Sequence, residues 1–201
     1  MGPEVHTEDR RRLLLSLILV VSVAVRVAAA VYLGNEVTEL PGTYDQISYH
    51  TLAQRVLDGH GFTFGRPWWP LTEAGAPTAH WSYLYTFYLV GVYALVGIRP
   101  LAARVLQAVL VGVLHPLLAY RLGRRLFGSW AGLPAAGITA VYAYFVYYAG
   151  TLMTEPFYIT AVLGTLYLAM QVSEGARKRK GEKARGREAE KTRAWGLWVG
   201  L

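Results

Sequence analysis

Two acidic residues stand where chemistry could be done. Asp45 opens the stretch Tyr44-Asp45-Gln46-Ile47-Ser48-Tyr49-His50-Thr51-Leu52-Ala53, just after the first strongly apolar run, and Glu155 lies in Thr154-Glu155-Pro156, a short break between two later ones. A carboxylate at the wet edge of a membrane can act as a general base, and a second one beside it can hold a hydrogen-bonding partner or a cation. Each has a plainer reading. An Asp ahead of an amphipathic helix is commonly an N-cap, contributing about 1 kcal/mol. Thr-Glu-Pro is a cap followed by Pro in the first helical turn. Arg104 could pair with an anionic headgroup or a pyrophosphate-like group, or else snorkel to the interface. His80, Glu73 and Tyr49 complete the candidate set as contacts lining the same cavity. His50 is expected on the solvent side of its helix, His115-Pro116 as a packed kink within a span, and Arg26 as a side chain buried against other helices.

The elements that must position these residues are membrane helices. The chain has 201 residues, is 54% hydrophobic and carries a formal charge of +7. Its apolar residues are clustered in long runs, which points to a multi-span membrane protein. The basic residues flank those runs, so the positive charge reads as topology and not as nucleic-acid binding. With no Cys, disulfides, thiolate metal sites and Cys nucleophiles are excluded. The expected spans are 13–33, 101–122, 130–149 and 153–172, after a cytoplasmic N-terminus at 1–12. A basic cytoplasmic loop or short charged helix follows at 173–193; its charges, nine basic and four acidic, all lie within 174–193. Residues 194–201 read as the start of a further span, as if the chain were cut from a longer one.

Residues 34–100 form the long outer loop. Within it, Tyr49, Leu52, Ala53 and Val56 repeat at i, i+3, i+4 and i+7, the mark of an amphipathic helix, with Gly59 placed for a left-handed stop. The apolar stretch 81–97 is marginal for a span. If it lies in the interface, Arg121, Arg124 and Arg125 and the 174–193 run all fall inside with the N-terminus, as the positive-inside rule asks. Asp45 and Glu155 then share the outer side.

The order of pieces resembles the membrane-embedded C-type glycosyltransferases. After the first span come Tyr44-Asp45-x-x-x-Tyr49-x-x-Leu52-Ala53 and Gly59-x-Gly61-Phe62. Ala103-Arg104-x-x-Gln107-Ala108, Tyr120-Arg121-Leu122-Gly123-Arg124-Arg125-Leu126-Phe127-Gly128 and Thr154-Glu155-Pro156-Phe157 follow. The nearest branch is the bacterial group similar to protein O-mannosyltransferases and the aminoarabinose transferase of lipid A. The resemblance implies an all-α polytopic bundle with juxtamembrane helices in the first outer loop. It implies inverting transfer of a sugar from a polyprenyl-phosphate-linked donor to an extracytoplasmic protein or glycolipid, in the bacterial cytoplasmic membrane. It further implies Asp45 as base, Glu155 in the same cavity and Arg104 near the donor phosphate. A divalent cation is left open. The chain departs from many members in carrying Asp45-Gln46 in place of an acidic pair, and Ala79-His80-Trp81 in place of Pro-Pro. The alternative expectation is a non-catalytic scaffold subunit of a larger membrane complex.

Overall fold

The computed structural model describes residues 3–199, with side chains for 8–183 and 185–188. The described residues form seven helices and no strand. These are α1 (Pro3–Leu33), α2 (Asp45–Leu57), α3 (Tyr83–Val96), α4 (Pro100–Phe127), α5 (Gly132–Val141), α6 (Ala143–Gly150) and α7 (Glu155–Val199). Two compact units are formed, Met1–Leu163 and Gly164–Leu201. Three helices are long and apolar enough to cross a membrane, within Glu8–Leu33, Pro100–Phe127 and Glu155–Glu188. The chain is thus a helical membrane bundle.

In the first unit α1 packs along α4, and α5 and α6 pack against both. The inward face of α1 is Ser22, Arg26 and Ala30, at i, i+4 and i+8, all fully buried, while Leu13, Leu17, Val20 and Val31 are exposed. Large apolar side chains pointing outward are what a lipid-facing helix presents. Close approach of α1 and α4 depends on Gly112, where a Cβ would lie 3.0 Å from Val23 Cα and Val23 Cγ2.

The 130–149 run, expected as one span, is two helices broken at Tyr142, which adopts an extended conformation. That break strands the last carbonyls of α5, which no water reaches inside a bundle. Arg26 resolves it, with Nη1 donating to Ala140 O at 2.7 Å and Nη2 to Thr139 O at 2.9 Å. Nη1 also donates to Ser22 Oγ.

Gln107 does the same for α6. Its Nε2 donates to Tyr148 O, Ala149 O and Thr151 O, and its Oε1 accepts from the Tyr85 hydroxyl at 2.8 Å. His115 ties α4 to the first turn of α7, its Nε2 within hydrogen-bond distance of Pro156 O and Thr160 Oγ1.

The loop 34–100 is ordered around a core that it shares with Ala103 of α4 and Leu152. Tyr49, Leu52 and Ala53 of α2 meet Phe64, Trp68 and Trp81 of the loop and Tyr85, Leu89 and Tyr93 of α3. Phe64 and Trp68 stack at 4.8 Å, and Trp68 Nε1 donates to Ser48 Oγ at 2.8 Å. Burying an indole without a partner for its N–H would be costly, so that bond goes with the packing. At 14 residues, α3 is shorter than a span needs. It packs on α2 and α4. His50, expected in solvent, is instead half-buried between α2 and α3, with Nδ1 2.9 Å from the Tyr93 hydroxyl and Nε2 3.0 Å from Gln54 Nε2.

In the second unit the backbone stays helical through 174–193, with the described side chains of 174–188 exposed. The expected start of a span at 194–201 lies outside the residues whose side chains are described.

Candidate active site

Asp45 is not a cap. It is the first residue of α2, the N-cap position is Tyr44, and no side-chain cap bond forms. It lines an open concavity of about 560 Å³ together with residues 39–44. Three buried neighbours fix α2 beneath it. Gln46, Ser48 and Tyr49 all turn inward. The Tyr49 ring is held edge-on by Trp81 and Tyr85, at 5.7 and 4.9 Å between centroids. Its hydroxyl oxygen accepts from Ser82 N–H at 3.4 Å.

Both acids act on that hydroxyl through their charge. Burial raises the Tyr49 hydroxyl above its ordinary range, and the negative charges of Asp45 and Glu155 raise it further, against the Ser82 bond that favours the anion. Burial also raises the Asp45 carboxyl, and the facing charge of His80 draws it partly back. Asp45 and Glu155 repel each other directly. Glu155 opens α7, and its Oε2 is buried without a hydrogen-bond partner among the described residues. His80 is exposed, its ring edge-on to Trp69 and Trp81. Glu73 stands apart. It is exposed beyond the Trp68–Thr72 bridge, and none of the interactions around Asp45, Tyr49 and Glu155 involves it.

Arg104 is fully buried. Its Nη1 donates to Leu33 O and Gly34 O, the end of α1, at 2.9 and 2.7 Å. Nη2 donates to Gln46 Oε1 at 3.2 Å, and Gln46 Nε2 in turn donates to Thr38 O. The guanidinium therefore reaches Asp45 through its neighbour and does not open onto the concavity.

These bonds bring four helix ends to one end of the bundle: the close of α1, the start of α4, the close of α6 and the start of α7. Two tyrosines of α6 fasten the loop before Asp45 to that end. Tyr147 donates to Pro41 O at 2.8 Å and Tyr148 to Gly42 O at 3.4 Å. Tyr148 also lies in the field of Glu155. Gln46, Gln107 and Tyr148 were not among the sequence candidates. The i, i+3 spacing of Arg104 and Gln107 on a helix was the available signal for one of them. Among the described residues no group of three or more His, Asp or Glu side chains could hold a metal ion; this site offers two carboxylates.

An all-helical bundle with three long apolar helices is consistent with a GT-C membrane glycosyltransferase. The family model described as dolichyl-phosphate-mannose-protein mannosyltransferase matches residues 80–181, just over half of the chain, and the chain belongs to that family. The matched segment contains His80, Arg104 and Glu155 and begins after Asp45. No curated protein and no solved structure matches. The protein is a multi-pass membrane glycosyltransferase of the GT-C type.

Proposed function

We propose that this chain moves a sugar from a polyprenyl-phosphate-linked donor to a hydroxyl acceptor on the extracytoplasmic face, with inversion. The reading is supported by the charges of Asp45 and Glu155, remote in sequence, both acting on the Tyr49 hydroxyl. Asp45 takes the proton of the acceptor hydroxyl. The acceptor oxygen then bonds to the anomeric carbon from the face opposite the phosphate, and the electrons of the broken carbon–oxygen bond leave with the phosphate. Because the leaving group is already activated, the protein mainly positions the acceptor and removes its proton. Glu155 and Tyr49 hold acceptor or sugar hydroxyls, with His80 at the entrance.

The basic clusters support a bacterial cytoplasmic-membrane location with the N-terminus inside and this end of the bundle outside. The donor brings the lipid, the acceptor is a protein or glycolipid, and no step here is routed through a metal.

The test is sugar transfer by the full chain with Asp45→Asn, an isosteric change that removes the base. Transfer should fall by roughly 10²–10⁴-fold with folding retained. Undiminished transfer would remove Asp45 as base. Absence of transfer by the unaltered chain alongside intact folding would favour a scaffold subunit.

A further inference from the structure

We propose that Gln46 is the positioning residue of this site and that Arg104 acts through it, not on the donor phosphate. The proposal rests on the reading of Asp45 as base. Gln46 is fully buried and is bonded on both sides of its amide, accepting from Arg104 Nη2 at 3.2 Å and donating to Thr38 O. Arg104 is anchored by the two closing carbonyls of α1. A single line of bonds therefore runs from the end of the first span to the first turn of α2. Asp45 precedes Gln46 on the backbone and has no cap bond of its own to fix it. The orientation of its carboxylate is set by where Gln46 is held.

An amide suits this place better than a carboxylate. It supplies an acceptor for Arg104 and a donor for Thr38 O at once, whereas a carboxylate has only acceptors to offer. Arg104 gives three of its five N–H groups to protein oxygens, and with no exposed surface the guanidinium presents none of the others to a phosphate at the concavity.

The experiment compares Gln46→Leu, Gln46→Glu and Arg104→Lys in the full chain. The readouts are transfer kinetics and equilibrium binding with polyprenyl-phosphate-mannose, and backbone hydrogen exchange over 38–46. In Gln46→Leu and Arg104→Lys, kcat should fall by up to roughly 10²-fold, as for a misplaced catalytic group. Donor KM and binding should stay within about twofold, exchange over 38–46 should rise, and the double variant should be no worse than the worse single one. Gln46→Glu keeps the Arg104 contact and should retain more activity than Gln46→Leu. If Gln46→Leu does not fold, Gln46→Glu and Arg104→Lys decide. Weakened donor binding at unchanged kcat in Arg104→Lys would overturn the proposal, as would full kcat in both Gln46 variants. Full activity in Asp45→Asn would instead remove the reading beneath it.

Discussion

Arg26 and Arg104 begin alike and end differently. Both are fully buried, both give their Nη donors to the closing carbonyls of another helix, and both leave Nε without a partner among the described residues. Arg26 serves α5, and its remaining bonds return to the carbonyl and hydroxyl of Ser22 on its own helix. Arg104 serves α1, and its remaining bond goes outward to Gln46, next to Asp45. A buried cation in a membrane bundle is therefore no sign of a site by itself. Backbone carbonyls freed where a helix stops must find donors, and a guanidinium is a compact way to supply several. Function enters only where the chain of bonds continues to a group that can react.

The comparison breaks first at Arg26. Arg26→Met strands two carbonyls of α5 and should cost about 2–4 kcal/mol, since each buried acceptor left alone costs about 1–3 kcal/mol, offset in part by no longer burying a charge. The midpoint of unfolding in detergent checks this. Transfer per folded molecule should hold at the unaltered level. A loss of kcat at unchanged stability would show that the inner arginine also reaches the site, and the distinction would fail.

Gly112→Leu asks whether the two regions are mechanically separate. The new side chain would push on Val23 and part α1 from α4 one residue from Ser22. Overpacking of this kind costs about 1–3 kcal/mol. The expected result is a lower unfolding midpoint with little change in donor KM. A change in KM larger than the change in stability would mean that the α1–α4 crossing sets the site around Asp45 directly.

How much of this was written in the sequence differs between the same two regions. The all-helical class, the membrane character and the family follow from the long apolar runs and from motif order, because a bilayer imposes length and composition on any helix that crosses it. That Asp45 and Glu155 share one side of the membrane is an expectation drawn from counting basic flanks. The break at Tyr142 did not. Ala140-Val141-Tyr142-Ala143 contains no Pro or Gly, and what tolerates the break is Arg26, more than a hundred positions away. The partners of Arg104 were hidden for a related reason. Its position near a helix start suggested an interfacial cation, but the acceptors that occupy it belong to α1 and α2, and a one-dimensional pattern does not show which carbonyls a helix end leaves open. Gln46 looked like a missing acid. Only its two bonds show what an amide does there.

The smallest effect sharpens the outer side of the comparison. If Asp45 is the base, only its ionised form works, so transfer falls on the acid side with the ionisation of that carboxyl. Burial raises Asp45 above the ordinary carboxylate range, and the positive charge that His80 presents lowers it. The acid limb of kcat/KM should therefore lie above pH 4, the region of an unperturbed carboxyl. His80→Gln removes the charge and keeps a polar side chain of similar reach. With the stabilising cation gone, the carboxylate holds its proton to higher pH, so the limb should move upward. The shift should be less than about one pH unit, because His80 is exposed and solvent screens the pair. A downward shift would mean that His80 does not act on Asp45 through its charge. An unmoved limb in His80→Gln that does move in Gln46→Leu would assign the tuning of the base to the Arg104–Gln46 chain instead.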